Sequence, residues 1–344
     1  MQGKRLAKLC SLAALGLAFS LGTASAEDKT FELKLSHWVP PSHPLQKAIQ
    51  EWADDIEKAS NGTIKYKIYP AQQLGKAFDH YDMAKDGIAD FVYVNPGYQP
   101  GRFPIISAGE LPFLVGRAQG GNRAIDAWYR KYAATEMKDT HYCFSFVLDP
   151  VVWHSSKKKI VVPEDIKGMK IRPAQGTIGA WVTLLGGTNV QASAPEVRDI
   201  IAKGVADAVP FPWGSTVLFG LDKVTKYDMD VPLGSVMFQW LMSPATYAAM
   251  SDSQKKVIDE HCTTDWAARF ADPWADFEHA GLEKIKAEPD HEVYKISDEQ
   301  LGEWKKSAEP LKQKWAADVK KAGGDPDAIW KDLQASLTQY SAGF

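Results

Sequence analysis

An arginine placed at the end of a short strand is the residue best fitted to bind something. Gly168-Met169-Lys170-Ile171-Arg172-Pro173 alternates apolar and charged side chains with the period of two expected of a strand. Pro173 lacks the N–H that a sheet ladder needs, so regular pairing should stop there. Open α/β sheets bind ligands beyond the carboxyl ends of their strands. A guanidinium at such an end is always charged and presents a planar fork matched to a carboxylate. The plain alternative is a surface ion pair.

Aromatic residues gather at other probable strand exits. Trp38, beside His37, closes the first strand. Asn95-Pro96-Gly97-Tyr98 follows another, and Trp153 lies some way before Arg172. Phe211-Pro212-Trp213 and Phe238-Gln239-Trp240 sit in the later half. Some of these are core residues. Those at strand exits fit a ligand pocket, which is typically apolar and aromatic with a few placed polar groups. The candidate ligand-binding set is therefore Arg172, Trp38, His37, Asn95, Trp153, Phe211, Trp213 and Trp240. No His-Glu-x-x-His, Gly-x-Ser-x-Gly, P-loop or dinucleotide-binding glycine pattern occurs in the sequence. The eight histidines have no metal-ligand spacing, so neither a metal nor a cofactor is expected.

These residues need a frame. Phe31 to Trp38 alternates as a strand, and Leu45, Ile49, Trp52, Ala53 and Ile56 fall on one face of a helix that ends near Ala59. Thr63–Tyr69 is the next strand. This β-α-β unit predicts a parallel sheet with helices on its faces. A device then occurs twice. Ala84-Lys85-Asp86-Gly87-Ile88-Ala89-Asp90 enters one strand, and Ala202-Lys203-Gly204-Val205-Ala206-Asp207 enters another. Each has glycine where a helix C-cap needs a left-handed residue. The echo suggests two similarly built α/β lobes, although common loop chemistry would also produce it. Pro96 to Pro112 reads as a long loop. Ser251 to about Ala287 reads as one long helical region, and Ser297–Ala322 and Asp325–Tyr340 finish the chain in helix.

The N-terminus gives the compartment. Lys4, Arg5 and Lys8 precede an apolar run from about Leu9 to Leu21, and Ala24-Ser25-Ala26 is a small-x-small cleavage signal. The run is too short for a membrane span, so residues 1–26 read as a secretory leader cleaved after Ala26, and the mature chain as periplasmic. Three basic residues leave with the leader, which takes the net charge from −3 to −6. That balance disfavours nucleic acid and polybasic membrane contact. Two cysteines remain, Cys143 and Cys262. They stand either as a disulfide, which an exported chain can keep, or as two separately buried thiols. A monomer is the default.

The run Pro163-Glu164-Asp165-Ile166-Lys167-Gly168-Met169-Lys170-Ile171-Arg172 resembles the "P-E-D-L-K-G-L-K-I-R" signature of solute-binding proteins of tripartite ATP-independent periplasmic (TRAP) transporters, the DctP family. Leu184-Leu185-Gly186-Gly187, Lys203-Gly204-Val205-Ala206-Asp207, Tyr69-Pro70-Ala71-Gln72-Gln73-Leu74-Gly75, Asp90 and Glu110-Leu111-Pro112-Phe113-Leu114 extend the likeness over nearly the whole mature chain. The resemblance implies an α/β, two-lobed, type II periplasmic-binding-protein-like fold. Central sheets are flanked by helices, the ligand cleft lies between the lobes, and a long helix spans both, with Ser251–Ala287 the candidate. Lobe I is expected over residues 27–148 plus about 236–270. Lobe II is expected over residues 149–235 plus about 271–344, including the C-terminal helices. The likeness implies closure around an organic acid held by Arg172, and delivery to TRAP membrane permease subunits without ATP. Two positions depart from the family. Val151 stands where relatives that bind sialic acid carry a second arginine, and Phe211 where the family has asparagine. A cation and an amide are lost while aromatic residues surround the site. The expected ligand is a monocarboxylate with an aromatic or apolar body. A sensory receptor for a membrane kinase, or a small-acid hydrolase on a similar frame, are the competing functions.

Overall fold

A computed structural model describes residues 29–344; the leader expected over residues 1–26 and its cleavage point lie outside the described residues. Eleven strands form two sheets among the described residues. The first sheet contains β1 (Phe31–Ser36), β2 (Ile64–Tyr69), β3 (Phe91–Val94), β4 (His141–Val147) and, from far along the chain, β10 (Met237–Met242). The second contains β5 (Val151–Ser155), β6 (Lys170–Ile171), β7 (Thr188–Asn189), β8 (Ala208–Phe211), β9 (Tyr227–Gly234) and β11 (Glu292–Tyr294). Their orders are β2-β1-β3-β10-β4 and β11-β9-β5-β8-β6-β7.

The opening β-α-β unit forms as its periodicity predicts. β1 and β2 pair in parallel, and the helix Pro44–Ala59 between them buries Leu45, Ile49, Trp52, Ala53 and Ile56. Pro44 occupies the first helical turn, where its missing N–H costs nothing. The His43 side chain caps that helix by accepting from Leu45 N at 3.1 Å.

The repeated device has the same geometry in both lobes. Gly87 and Gly204 take left-handed φ values of 69° and 67°. The Asp90 carboxylate accepts from Lys34 N at 2.7 Å, and the Asp207 carboxylate accepts from Lys170 N at 2.9 Å. Each aspartate thus ties the strand that follows it to a parallel neighbour, β3 to β1 and β8 to β6. The ends of those paired strands deliver Trp38 and Asn95 on one side, Arg172 and Phe211 on the other.

The chain passes between the sheets at Leu148–Pro150 and at Ser235–Val236. The two crossings run side by side, with Leu148 N donating to Val236 O at 3.1 Å. A third link is the helix Thr264–Ala287. Phe270 on it packs against Phe144 and Phe146 of the first sheet, while Glu278 accepts from Ser215 N in the second lobe at 2.8 Å.

Three expectations change. Ser251–Ala287 is not one helix: Asp252–His261 ends at Cys262, and Thr263 caps a new helix by accepting from Trp266 N. Of this region Thr264–Ala287 spans the lobes, and the helix Asp298–Lys321 bridges them as well, with Trp304 donating to Val161 O in the second and Trp315 to Pro104 O in the first. The stretch from Pro96 to Pro112 is not structureless, since Pro96–Tyr98 and Ile106–Glu110 form 3₁₀ turns. The C-terminal helix Pro326–Gln339, placed on sequence grounds with lobe II, lies on the first lobe. Trp128 Nε1 donates to Ile329 O at 3.2 Å, and Ser336 Oγ donates to Ala124 O at 2.7 Å. Its apolar stripe of Ile329, Leu333 and Leu337 joins the core around Ile125 and Trp128. A stripe pattern shows that a helix is covered, but not by which lobe.

Cys143 and Cys262 form a disulfide, which joins β4 to the end of helix Asp252–His261.

Candidate functional site

Arg172 leaves the end of β6 with its backbone held by a bond to Ala208 O, and its side chain is fully buried. Nε donates to Ala192 O at 2.7 Å and Nη2 donates to the Tyr98 hydroxyl at 3.2 Å. Nη1 has no partner, and no carboxylate among the described residues forms an ion pair with Arg172. The nearby Glu196 carboxylate accepts from Ser193 Oγ and Ser193 N, which hold its pKa below the usual carboxylate range. The rings of Tyr98 and Phe211 flank the guanidinium at 5.8 and 5.9 Å. A buried cation without a counter-ion is costly. An anion at Nη1 would satisfy it.

Tyr98 belongs to the first lobe, while Arg172 and Ala194 belong to the second. The Tyr98 hydroxyl accepts from Arg172 and also from Ala194 N at 2.9 Å. Both of its lone pairs are used, which leaves its own proton to be donated. Asn95 accepts from Gly97 N at 2.9 Å through Oδ1, and its buried Nδ2 has no partner. The lobes touch here. A Cβ on Gly97 would sit 2.7 Å from Ala174 O, so only glycine permits this approach.

An aromatic slot continues from this point. It is lined by Trp38, Tyr98, Phe238 and Trp274 on one wall and Phe211 and Phe219 on the other, with a free volume of about 30 Å³. Leu148, Val151 and Val236 of the crossing segments form part of its lining, so it lies at the hinge between the lobes. Trp38 is fixed by stacking on Tyr93 at 4.7 Å and by donating Nε1 to Tyr93 O. Trp274 donates its indole N–H to Glu278 at 2.7 Å, and Glu278 also accepts from Ser215 N and Ser215 Oγ. Burial pushes the Glu278 carboxyl up to about 7.

The eight candidates therefore separate. Trp38, Asn95 and Phe211 line the slot and Arg172 borders it. The other four lie elsewhere. His37 turns away and bonds Gln46 at 2.8 Å, and burial lowers it to about 4. Trp153 packs on Trp304 in the second lobe's core. Trp213 lies in a small cluster with Val152 and Ile285. Trp240, two residues beyond Phe238 on β10, is inserted between Trp52, Phe91 and Phe270 under the first sheet. Sequence reasoning missed Tyr98, Trp274, Phe219 and His43 as a set. The Asn95-Pro-Gly-Tyr98 turn was the available signal for Tyr98; nothing local marks the others.

A larger groove of about 880 Å³ opens on the other side of the Pro96–Gly97 turn, against the helices Gly176–Leu184 and Asp298–Lys321. It holds Glu110, whose Oε2 accepts from Thr177 Oγ1 across the lobes at 3.3 Å. Burial pushes this carboxyl up to about 8. The groove is lined by Glu110 and Asp318 and by Lys314 and Lys321, whereas no acid lines the smaller slot, and two of its rings, Tyr98 and Phe211, flank Arg172.

Two sheets with a central hinge, a buried cation and an aromatic slot define a two-lobed solute receptor of the type II binding-protein fold. The model of the bacterial extracellular solute-binding protein family 7 (DctP) matches residues 35–318, and the chain belongs to that family. A TRAP solute-binding protein from Rhodoferax ferrireducens, solved with copurified benzoate, is 28% identical with a TM-score of 0.85, covering 91% of this chain and 99% of that one. A marine-metagenome TRAP protein described as specific for aromatic acids, solved with 3-hydroxybenzoate, is 30% identical with a TM-score of 0.84 and covers 91% and 99%. A Bordetella bronchiseptica TRAP protein with bound (R)- and (S)-mandelate is 25% identical with a TM-score of 0.84 and covers 90% and 99%. The protein is thus a TRAP solute-binding receptor, one of a family that binds small organic acids and works with membrane permease components.

Proposed function

We propose that this receptor captures an aromatic monocarboxylate in the slot between Arg172 and Trp274 and carries it through the periplasm to its permease. The observation that carries this reading is the buried, unpaired Nη1 of Arg172, whose guanidinium is flanked by Tyr98 and Phe211, two rings that also line the aromatic slot. The carboxylate would take Nη1 of Arg172, Nδ2 of Asn95 and the proton of Tyr98, satisfying all three. A charge-assisted bond in a water-free site is much stronger than in solvent. The ring would be sandwiched between Trp38 and Phe238 on one side and Phe211 on the other, gaining roughly 25 cal/mol per Å² of apolar surface buried. No second cation faces the slot among its lining residues, so a dicarboxylate would bury an uncompensated charge.

The slot's free volume of about 30 Å³ is near the space of one water, so the lobes must part to admit a ligand and close again around it. Closure is favoured because only the closed form makes contacts from both lobes. Trp38 and Trp274 in the wall make intrinsic fluorescence a direct readout. Titration with aromatic monocarboxylates should change it, with a matching rise in melting temperature. A response to succinate or a sugar acid with none to aromatic acids would defeat the reading. Ligand recovered unaltered after long incubation would separate capture from hydrolysis.

A further inference from the structure

The slot has a second polar end. His43 lines it, is almost fully buried, and has no partner for Nε2. Its tautomer is fixed by its other nitrogen. Nδ1 accepts the N–H of Leu45 as the helix cap, so the ring proton sits on Nε2. The imidazole is therefore a neutral donor.

This donor and Arg172 touch different rings of the slot. His43 meets Trp274 edge-on at 4.4 Å and Phe219 at 6.4 Å. Along one wall the rings run Trp274 to Phe238 at 5.6 Å, Phe238 to Trp38 at 6.3 Å, and Trp38 to Tyr98, which touches Arg172, at 5.7 Å. Along the other, Phe219 meets Phe211 at 5.8 Å, and Phe211 flanks Arg172. Two rows of rings thus separate the guanidinium from the imidazole. The other polar side chains of the lining are spent or belong to the arginine's end. Ser215 Oγ donates to Glu278, and Asn95 and Tyr98 stand beside Gly97 and Arg172.

We infer that the ligand's ring carries a neutral oxygen acceptor, a hydroxyl or an ether or carbonyl oxygen, at the end away from its carboxylate, and that Nε2–H of His43 reads it. The inference rests on the slot being the carboxylate site. A second carboxylate would not suit this end, because the imidazole is uncharged and Trp274, which it meets edge-on, is bonded to the acid Glu278. A plain hydrocarbon end would leave a buried N–H unpaired, and a site built to hydrogen-bond a substituent discriminates against analogues that lack it.

Calorimetric titration of benzoate, 4-methylbenzoate, 3- and 4-hydroxybenzoate and 4-aminobenzoate tests this. A hydroxybenzoate should bind about tenfold or more tighter than benzoate or the methyl isostere, and the amine, a poor acceptor, should gain nothing. His43→Asn retains an oxygen to cap the helix, and its shorter amide cannot reach the place of Nε2, so the ratio of hydroxybenzoate to benzoate affinity should fall to about one. Should that variant misfold, the ligand series on the unmodified protein still decides. Equal affinities across the series, or a preference that survives His43→Asn, would overturn the role of His43 alone. Binding of none of these acids would remove the carboxylate reading and this inference together.

Discussion

Nη2 of Arg172 donates to the Tyr98 hydroxyl at 3.2 Å across the gap between the lobes. One bond therefore links the proposed anion-binding cation to the contact between the lobes. The same hydroxyl holds Ala194 N, so the tyrosine fixes both the guanidinium and the second lobe's loop. The orientation that frees Nη1 is available when the lobes meet.

Arg172→Ala should remove the charge that an organic anion pairs with. Losing one member of a buried, hydrogen-bonded charge pair costs roughly 2–5 kcal/mol, or about 30- to several-thousand-fold in affinity. The fold should survive, because Arg172 makes no ion pair among the described residues. Arg172→Lys keeps the charge but loses the fork, so it should recover only part of the affinity. Calorimetry on both variants checks this; an affinity equal to that of the unmodified protein would take the carboxylate out of the site.

Tyr98→Phe keeps the ring against Trp38 and Phe78 but leaves Arg172 Nη2 and Ala194 N without their acceptor. An unsatisfied buried donor costs about 1–3 kcal/mol. Ligand affinity should fall about tenfold or more, chiefly through faster release. Stopped-flow fluorescence reads the rates, and a dissociation rate unchanged from the unmodified protein would show that the hydroxyl does not hold the closed form.

The disulfide between Cys143 and Cys262 closes a segment with a sequence separation of 119. On loop-closure entropy such a link is worth about 4–5 kcal/mol. Replacing both cysteines by serine should lower the denaturation midpoint by a corresponding amount. Ligand affinity should hold, since neither cysteine lines the slot. Equal midpoints for the oxidised and variant proteins would contradict this.

Stability should peak on a plateau in pH. Burial raises Glu110, Glu136 and Glu278 from 4.5 to about 8, 7 and 7. The folded chain holds those protons after the unfolded chain has lost them, so this contribution declines as pH rises from 4.5 through 7–8. Burial lowers His37, His43 and His80 from 6.5 to about 4, 3 and 4. The unfolded chain takes up those protons first, so this contribution declines as pH drops below 6.5. Between 4.5 and 6.5 the two trends oppose each other, and outside that window each acts alone. Melting temperatures across pH 4 to 9 should show losses on both sides, and Glu110→Gln should flatten the alkaline one. A midpoint that climbs steadily above pH 6.5 would refute the assignment.

Local patterns in the chain determined a good deal. The period of two in Phe31–Ser36, the apolar stripe of helix Pro44–Ala59, and the glycine caps before Asp90 and Asp207 specify two α/β units without long-range information. The proline after Arg172 marked a strand end, and strand ends are where such sheets bind. Those features depend on backbone geometry over a few residues. Which aromatic residues face the ligand was decided only by tertiary structure. Trp38 and Phe211 reach the slot, while Trp153, Trp213 and Trp240, equally plausible by spacing, are absorbed by cores. Side-chain period tells which residues share a face, but not what covers that face. The covering elements come from far along the chain: Trp274 from the spanning helix and Phe238 from a strand inserted between β3 and β4. The absence of a counter-ion for Arg172 among the described residues is likewise a property of the packed molecule, because it depends on every acid that the fold keeps away.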